Sequence, residues 1–260
     1  MDSTRQPWNP GTVNRYAAAV ISHLLLIVAW QLFVVLGHVP QFVMPTPLAT
    51  LKSLAVPNYR WFDNSMATAV EIFGGYFLAV VLGVGIALLF SWWRWLEVLV
   101  MPLLVSLNMV PKVALGPLFI VWFAYGLGPN ILMAFAICFF PIVLTTARGL
   151  SEVEPDLLDL VRTLKGSRLQ IFTKIQLPGA LPYIFSGMKV AAILAVAGAI
   201  VGEFLGSDKG LGYLMLQVQV TLDTPAMFMA VILITVIGVV LYGMVLGLER
   251  VLVVRDARIR

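Results

Sequence analysis

The chain has 260 residues, of which 60% are hydrophobic and 12% charged, with a formal net charge of +4 and a mean hydropathy of +0.96. Soluble domains average about 45–50% apolar and about 25% charged residues, so this composition argues against a soluble enzyme or a nucleic-acid binder. A single cysteine, Cys138, rules out an internal disulfide framework, and two histidines, His23 and His38, leave little for a His-based metal centre.

A membrane-crossing helix needs roughly 20 mainly apolar residues. Six stretches meet that requirement: 17–37, 66–90, 98–125, 129–147, 183–204 and 226–248. The first exceeds the h-region of a cleaved signal, roughly 7–15 residues, and no small-x-small cleavage site follows it, so it reads as a retained helix. Between spans one and two, residues 38–65 carry Pro45-x-Pro47, Pro57 and Trp61, a turn-rich stretch near the headgroups. Trp92, Trp93 and Trp95 beside Arg94 form an aromatic belt at the end of span two. Gly74, Gly75, Gly83 and Gly85 in that span let a neighbouring helix come close. Span three is interrupted by Pro111 and again by Gly116-Pro117. After span five, residues 205–225 hold Gly206, Gly210 and Gly212 and an apolar run too short to cross.

Six spans put both termini on one side. With the N-terminus inside, 12 of the 17 basic residues lie in inner segments, three lie outside (Lys52, Arg60 and Lys209), and Lys112 and Lys189 lie within spans. The excess of positive charge on one side places both ends in the cytoplasm. The reading is one all-α membrane domain over 1–260.

The longest inner segment, 148–182, is polar and predicted helical. Ser151 with Glu154 three residues on forms a candidate capping box, and Pro155 follows in the first turn. Leu157, Leu158, Val161 and Leu164 make one apolar face. Gly166 breaks this helix and Ser167 caps a second short one, in which Leu169, Ile171, Phe172 and Ile175 are apolar; Pro178 and Pro182 are expected to stop it. Such a helix–break–helix unit either lies on the membrane surface or docks a cytoplasmic partner through its apolar face.

A charge at mid-helix in a bilayer costs about 2.5–3.5 kcal/mol, so each one needs a reason. The charges within spans are Lys112, near the middle of span three, Glu71, about two turns into span two from its outer side, and Glu203, at the outer end of span five; Lys112 is expected to face the bundle interior and pair with Glu71 or Glu203. That pair either locks spans two, three and five together or lines a translocation path. Lys189, near the inner end of span five, is expected to snorkel to the interface. Cys138 reads as a small hydrophobe, and the histidines as packing residues.

The 148–182 segment resembles the conserved cytoplasmic loop of ABC importer permeases, with the pattern E-A-A-x-x-x-G-x9-I-x-L-P. Anchored on Ile175-x-Leu177-Pro178, the acidic position falls on Asp159, the two alanines on Leu160 and Val161, and the glycine on Lys165, one residue before Gly166. Pro45-x-Pro47, Pro111, Pro117-Leu118, Trp122-Phe123 with Gly126, Phe140-Pro141, and Glu203 with Gly210-Leu211-Gly212 extend the likeness over roughly residues 20–250. They narrow it to the nitrate/sulfonate/taurine/bicarbonate-type branch. The resemblance implies a type I ABC importer permease fold in a bacterial cytoplasmic membrane, and two permease copies around one path. It also implies a dimer of cytoplasmic ATPase subunits that binds ATP and magnesium, and an extracytoplasmic solute-binding protein. Coupling to the ATPase would then run through Asp159, Leu164, Lys165, Gly166, Ser167, Arg168, Leu169 and Phe172. Sulfonate permeases often carry Arg where this chain has Glu71, so a vitamin precursor or nitrogen heterocycle is as good a substrate as a sulfonate, nitrate or bicarbonate. No GxxxxGK[ST] loop occurs, so the chain carries no nucleotide motif or cofactor site of its own. The alternative is a self-contained secondary transporter in which Glu71, Lys112 and Glu203 relay ions.

Overall fold

The computed structural model describes residues 10–152, 157, 161 and 163–253. Every regular element among them is helical. Four helical stretches are long and apolar enough to cross a membrane: Pro57–Trp92, Leu127–Ser151, Arg168–Gly206 and Thr224–Leu252. A fifth crossing is obtained if the bent pair in the third predicted span counts as one. The chain divides into two compact units.

The smaller unit comprises residues 1–58 and 218–229. Its helix α1 (Pro10–Leu36) contains the first predicted span, and the apolar stretch described within it, Val20–Leu36, is shorter than a crossing helix. Helix α2 (Pro47–Lys52) starts where the sequence places a turn. Thr46 caps it, its hydroxyl accepting from the Ala49 N–H at 3.1 Å, and Pro47 occupies the first turn, where a missing N–H costs nothing. The Trp30 indole donates to the Pro45 carbonyl at 3.0 Å, and the Thr224 hydroxyl donates to the Phe42 carbonyl at 2.6 Å. These bonds pin the proline-rich stretch. Both histidines are exposed on this chain, so neither packs in its core.

The larger unit comprises residues 59–217 and 230–260. It contains α3 (Trp61–Trp92), α4 (Arg94–Asn108), α5 (Gly116–Phe123), α6 (Leu127–Ser151), α7 (Arg168–Ile171) and α8 (Leu177–Gly206). Helices α9 (Leu211–Val220) and α10 (Thr224–Leu252) follow along the chain, with their residues in 218–229 counted in the smaller unit. Its core is built by α3, α6 and α8, through Ile72, Ala79, Ala134, Ile142, Val143, Ala191 and Ala195. Small residues set the spacing. A methyl group added at Gly75 would come within 2.5 Å of the Ala134 Cβ, and one at Gly198 within 2.6 Å of the Ala134 Cα. Ala134 on α6 thus receives close approaches from both α3 and α8, the arrangement that lets dispersion contacts replace hydrophobic drive inside a bilayer. Cys138 is fully buried, as its reading as a small hydrophobe requires.

The third predicted span is broken, as its prolines require. Helix α4 and the segment Lys112–Phe123 meet at 87°. Pro111 supplies no N–H, and the chain passes through a 3-10 turn at Lys112–Leu115 before α5.

The segment after α6 departs from expectation at both ends. Ser151 ends α6, its hydroxyl donating to the Arg148 carbonyl at 2.9 Å, and does not open a new helix. Pro178 and Pro182 stop nothing: helix runs unbroken from Arg168 to Gly206. A π-turn at Phe172–Gln176 accommodates Pro178, while Pro182 lies inside α8. The Leu177 N–H bonds the Phe172 carbonyl five residues back, which widens the helix just before Pro178.

Candidate functional site

Two places in the larger unit hold the residues singled out by the sequence. They lie near opposite ends of α3, which spaces them about 30 Å apart at 1.5 Å per residue.

The first is the turn ahead of α7. Leu157, Val161 and Thr163 are helical, and the turn after Thr163 reaches Lys165, whose φ of +55° is left-handed. The Gly166 N–H then donates to the Val161 carbonyl at 2.9 Å, the six-to-one bond that closes many helix C-termini. Lys165 therefore occupies the position where glycine is favoured, which is also where the family pattern has its glycine. Gly166 serves a different need: a methyl group there would run into the Val161 side chain and lie 3.0 Å from its carbonyl. Val161 stands where the family pattern has alanine, and its extra bulk fills the space beside Gly166. Asp159, Leu158, Leu160, Glu154 and Pro155 lie outside the described residues.

Ser167 caps α7 as expected. Its hydroxyl accepts from the Gln170 N–H at 3.2 Å, while the Gln170 side-chain carbonyl accepts from the Ser167 N–H at 2.7 Å. This reciprocal pair fixes the turn so that Leu164 and Leu169 stand 72% and 57% exposed beside exposed Lys165 and Arg168. Phe172 does not join them. It turns back on the bundle, its ring 5.6 Å from that of Trp92 and packed on the core. Trp92, read from sequence as a belt residue, is thus the seat of the turn. Beside it opens a cavity of about 780 Å³ lined by Ser91, Trp92, Arg94, Gly166, Arg168 and Gln176 among others.

The second place holds Glu71 and Glu203, and the charges within the spans pair differently from the expectation. Lys112 meets neither glutamate. Its ammonium donates to the Asn108 backbone carbonyl and, at 2.8 Å, to the Asn108 side-chain carbonyl. It also sits 4.9 Å over the Phe140 ring. Asn108 is the last residue of α4, and its carbonyl is the one that the Lys112 N–H would take in a continuous helix. The lysine side chain therefore closes the broken helix with a positive charge at its negative end, while the aromatic face offsets part of its desolvation. The Lys189 ammonium bridges both Glu249 oxygens at 3.0 and 3.1 Å and ties α8 to the last turn of α10.

Glu71 and Glu203 are 0% and 1% exposed. Glu203 accepts from the Thr68 hydroxyl at 2.6 Å, from the Tyr213 N–H at 3.1 Å and from the Gly212 N–H. Thr68 in turn accepts from the Leu211 N–H at 2.8 Å, and Asn64 accepts from the Gly210 N–H at 2.9 Å. The first N–H groups of α9 are thereby all satisfied by α3 and α8 side chains. Gly210 has φ +113°, and a side chain there would collide with the Glu203 carboxylate. Glu71 accepts from the Asn130 side-chain amide at 2.8 Å through one oxygen, while its second oxygen is buried with no hydrogen-bond partner. Asn64, Thr68, Asn108, Asn130 and Glu249 escaped the sequence reading. Four of these five are neutral polar groups in or beside apolar stretches, where only an ionisable residue stands out by its insertion cost.

Residues 75–253 match the family described as binding-protein-dependent transport system inner membrane component. A probable ABC transporter permease protein of Haemophilus influenzae is 34% identical over 84% of this chain and 89% of its own length. The formylaminopyrimidine transport permease protein ThiX of Halalkalibacterium halodurans is 30% identical over 88% of this chain and 92% of its own. The putative aliphatic sulfonates transport permease protein SsuC of Bacillus subtilis is 31% identical over 87% and 83%. Among solved structures, the MetNI methionine ABC transporter in an inward-facing conformation superposes with a TM-score of 0.57 at 20% identity. That match covers 71% of this chain and 94% of that one and bears on the fold alone. With apolar crossing helices, a broken span closed by Lys112 and a capped turn ahead of α7, this chain belongs to the family of ABC transporter permeases that form the inner-membrane component of binding-protein-dependent transport systems.

Proposed function

We propose that the chain is the translocating subunit of an ATP-driven importer, engaging a separate cytoplasmic ATPase through the Leu164–Phe172 turn. The observation that carries this reading is the division of labour in that turn. Leu164 and Leu169 project outward on a frame closed by Ser167 and Gln170, while Phe172 anchors the frame to Trp92. An exposed apolar pair rimmed by Lys165 and Arg168 is the composition of a docking hot spot. A rigid connection from that pair into α8 transmits displacement, because helix runs without a stop from Arg168 to Gly206. Closure of an ATPase dimer would draw two such turns together and rock the bundles outward; hydrolysis would reset them.

In this reading six helices cross the membrane with both termini in the cytoplasm, two copies enclose one path, and a binding protein delivers solute from outside. The 12 inner basic residues support the orientation. The solute is a small polar organic molecule, for the relatives named above carry the names of a formylaminopyrimidine and of aliphatic sulfonates. Glu71 does not discriminate between those two, since it is buried against Asn130.

The test is site-directed cross-linking. A cysteine at Leu169 should form a disulfide with a cysteine placed in the ATPase docking cleft, with a yield that changes when ATP is added. A cysteine at Val121, which is exposed on α5, should not. Equal yields from both positions would remove the turn from the coupling role.

A further inference from the structure

Glu71 and Glu203 belong to α3 and α8 and are completely enclosed, yet the two are not equally provided for. Glu203 receives three donors, from Thr68, Gly212 and Tyr213, at the N-terminal end of α9. These dipoles suit one negative charge. Glu71 receives one donor, from Asn130, and its other oxygen has none. The charged groups around Glu71 are Glu203 and, more weakly, Asp208 in the turn after α8; both are acidic. Helix α6 contributes only the neutral Asn130. Among the described residues no lysine, arginine or histidine lies within ion-pair distance of either glutamate, because Lys112 and Lys189 are engaged elsewhere.

Two bare carboxylates side by side in a sealed, low-dielectric site repel each other and lose hydration that nothing returns. The site has donors for one charge and holds oxygens for two. A single positive charge at the unpartnered Glu71 oxygen would remove both deficits. We propose that Glu71 and Glu203 together hold one monovalent cation, a proton or a sodium ion, at the outer ends of α3 and α8. The cation acts as a bolt: it joins α3 to α8 and, through Thr68 and Glu203, fixes the start of α9. The site is separate from the inner-face turn and does not depend on the transport reading, so the test measures stability and spectroscopy instead of uptake.

The full-length chain in lipid nanodiscs is melted across about pH 6 to 9, in sodium chloride and in choline chloride, for the natural sequence and for Glu71→Gln. With a bound proton, the folded state holds one proton more than the unfolded chain, so stability falls as pH rises. The expected result in that case is a melting temperature that drops with pH regardless of sodium, and an infrared carbonyl band of a protonated carboxylic acid. Glu71→Gln, whose amide donates to Glu203 in place of the acid, flattens the drop and removes the band. With sodium bound, the melting temperature at fixed pH instead rises with sodium over choline, and Glu71→Gln abolishes that rise. A natural chain that is indifferent to sodium and lacks the acid band would overturn the proposal, as would a pH-dependent drop that survives in Glu71→Gln. If Glu71→Gln fails to fold, the band and the sodium response of the natural chain still decide between these outcomes.

Discussion

The two ends of α3 solve opposite problems. Near its N-terminal end, polar side chains are sealed inside an apolar bundle: Thr68, Glu71, Asn130 and Glu203 are all buried. Near its C-terminal end, apolar side chains project from a polar frame, with Leu164 and Leu169 exposed over a capping pair. The buried cluster draws on residues up to 146 positions apart, from Asn64 to Gly210. The exposed turn is closed by bonds spanning three to five positions, from Gly166 to Val161 and from Ser167 to Gln170. A long-range buried network holds helices in one arrangement, whereas a locally closed turn keeps its shape whatever the rest of the bundle does. That contrast fits a clamp at one end of a helix and a moving part at the other.

The comparison breaks if damage at the two ends looks alike. Glu203→Ala is expected to have the largest effect, because it strands Thr68 and the Gly212 and Tyr213 N–H groups in a buried site. A loss of about 3–5 kcal/mol is expected, read as a lower melting temperature and a reduced yield of folded protein in membranes. At the other end, Leu164→Glu with Leu169→Glu should leave the melting temperature unchanged. The same double change should weaken retention of the ATPase on purification by about 2 kcal/mol, roughly 30-fold. Folding defects in this variant, or full ATPase retention, would merge the two ends into one structural class.

The smallest effect sharpens the comparison within the turn. Gly166→Ala pushes a methyl group into Val161 and is expected to cost about 1–3 kcal/mol of local stability. Adding Val161→Ala should recover most of that loss, since the two sites share one space. Hydrogen exchange of the Gln170 N–H, held by Ser167, reports the result. Independent, additive costs would show that residues 161 and 166 do not compensate for each other.

Much of this was legible in the chain itself, for reasons that differ by region. The break at Pro111 follows from a missing donor, and the Ser167 cap from a hydroxyl three residues before Gln170; neither needs a neighbour. The errors arose where a local rule met a tertiary setting. Pro178 and Pro182 look like helix stops, yet a π-turn ahead of Pro178 shifts the backbone register and helix continues through both. Ser151 looks like a helix start, yet α6 extends to it and the helix interior claims its hydroxyl. The Lys165 position is informative in a different way. The family pattern puts glycine there, and the backbone keeps that left-handed geometry with a lysine in place. Left-handed backbone costs a side-chain-bearing residue about 1–2 kcal/mol.

What the amino-acid order determined alone is the class of molecule. Long apolar runs demand a bilayer, backbone groups without water demand helices, and the basic residues are distributed unevenly about them. Which charge meets which was decided only by the tertiary structure. Lys112 closes α4 and leaves both glutamates, Lys189 finds Glu249, and Glu71 finds Asn130. The physical reason is that helices such as α3 and α8 are apolar almost all round, so their sequence does not say which face turns inward. Their rotation is settled by where small residues such as Gly75, Ala134 and Gly198 allow backbones to close. The polar partners are those that this rotation brings together.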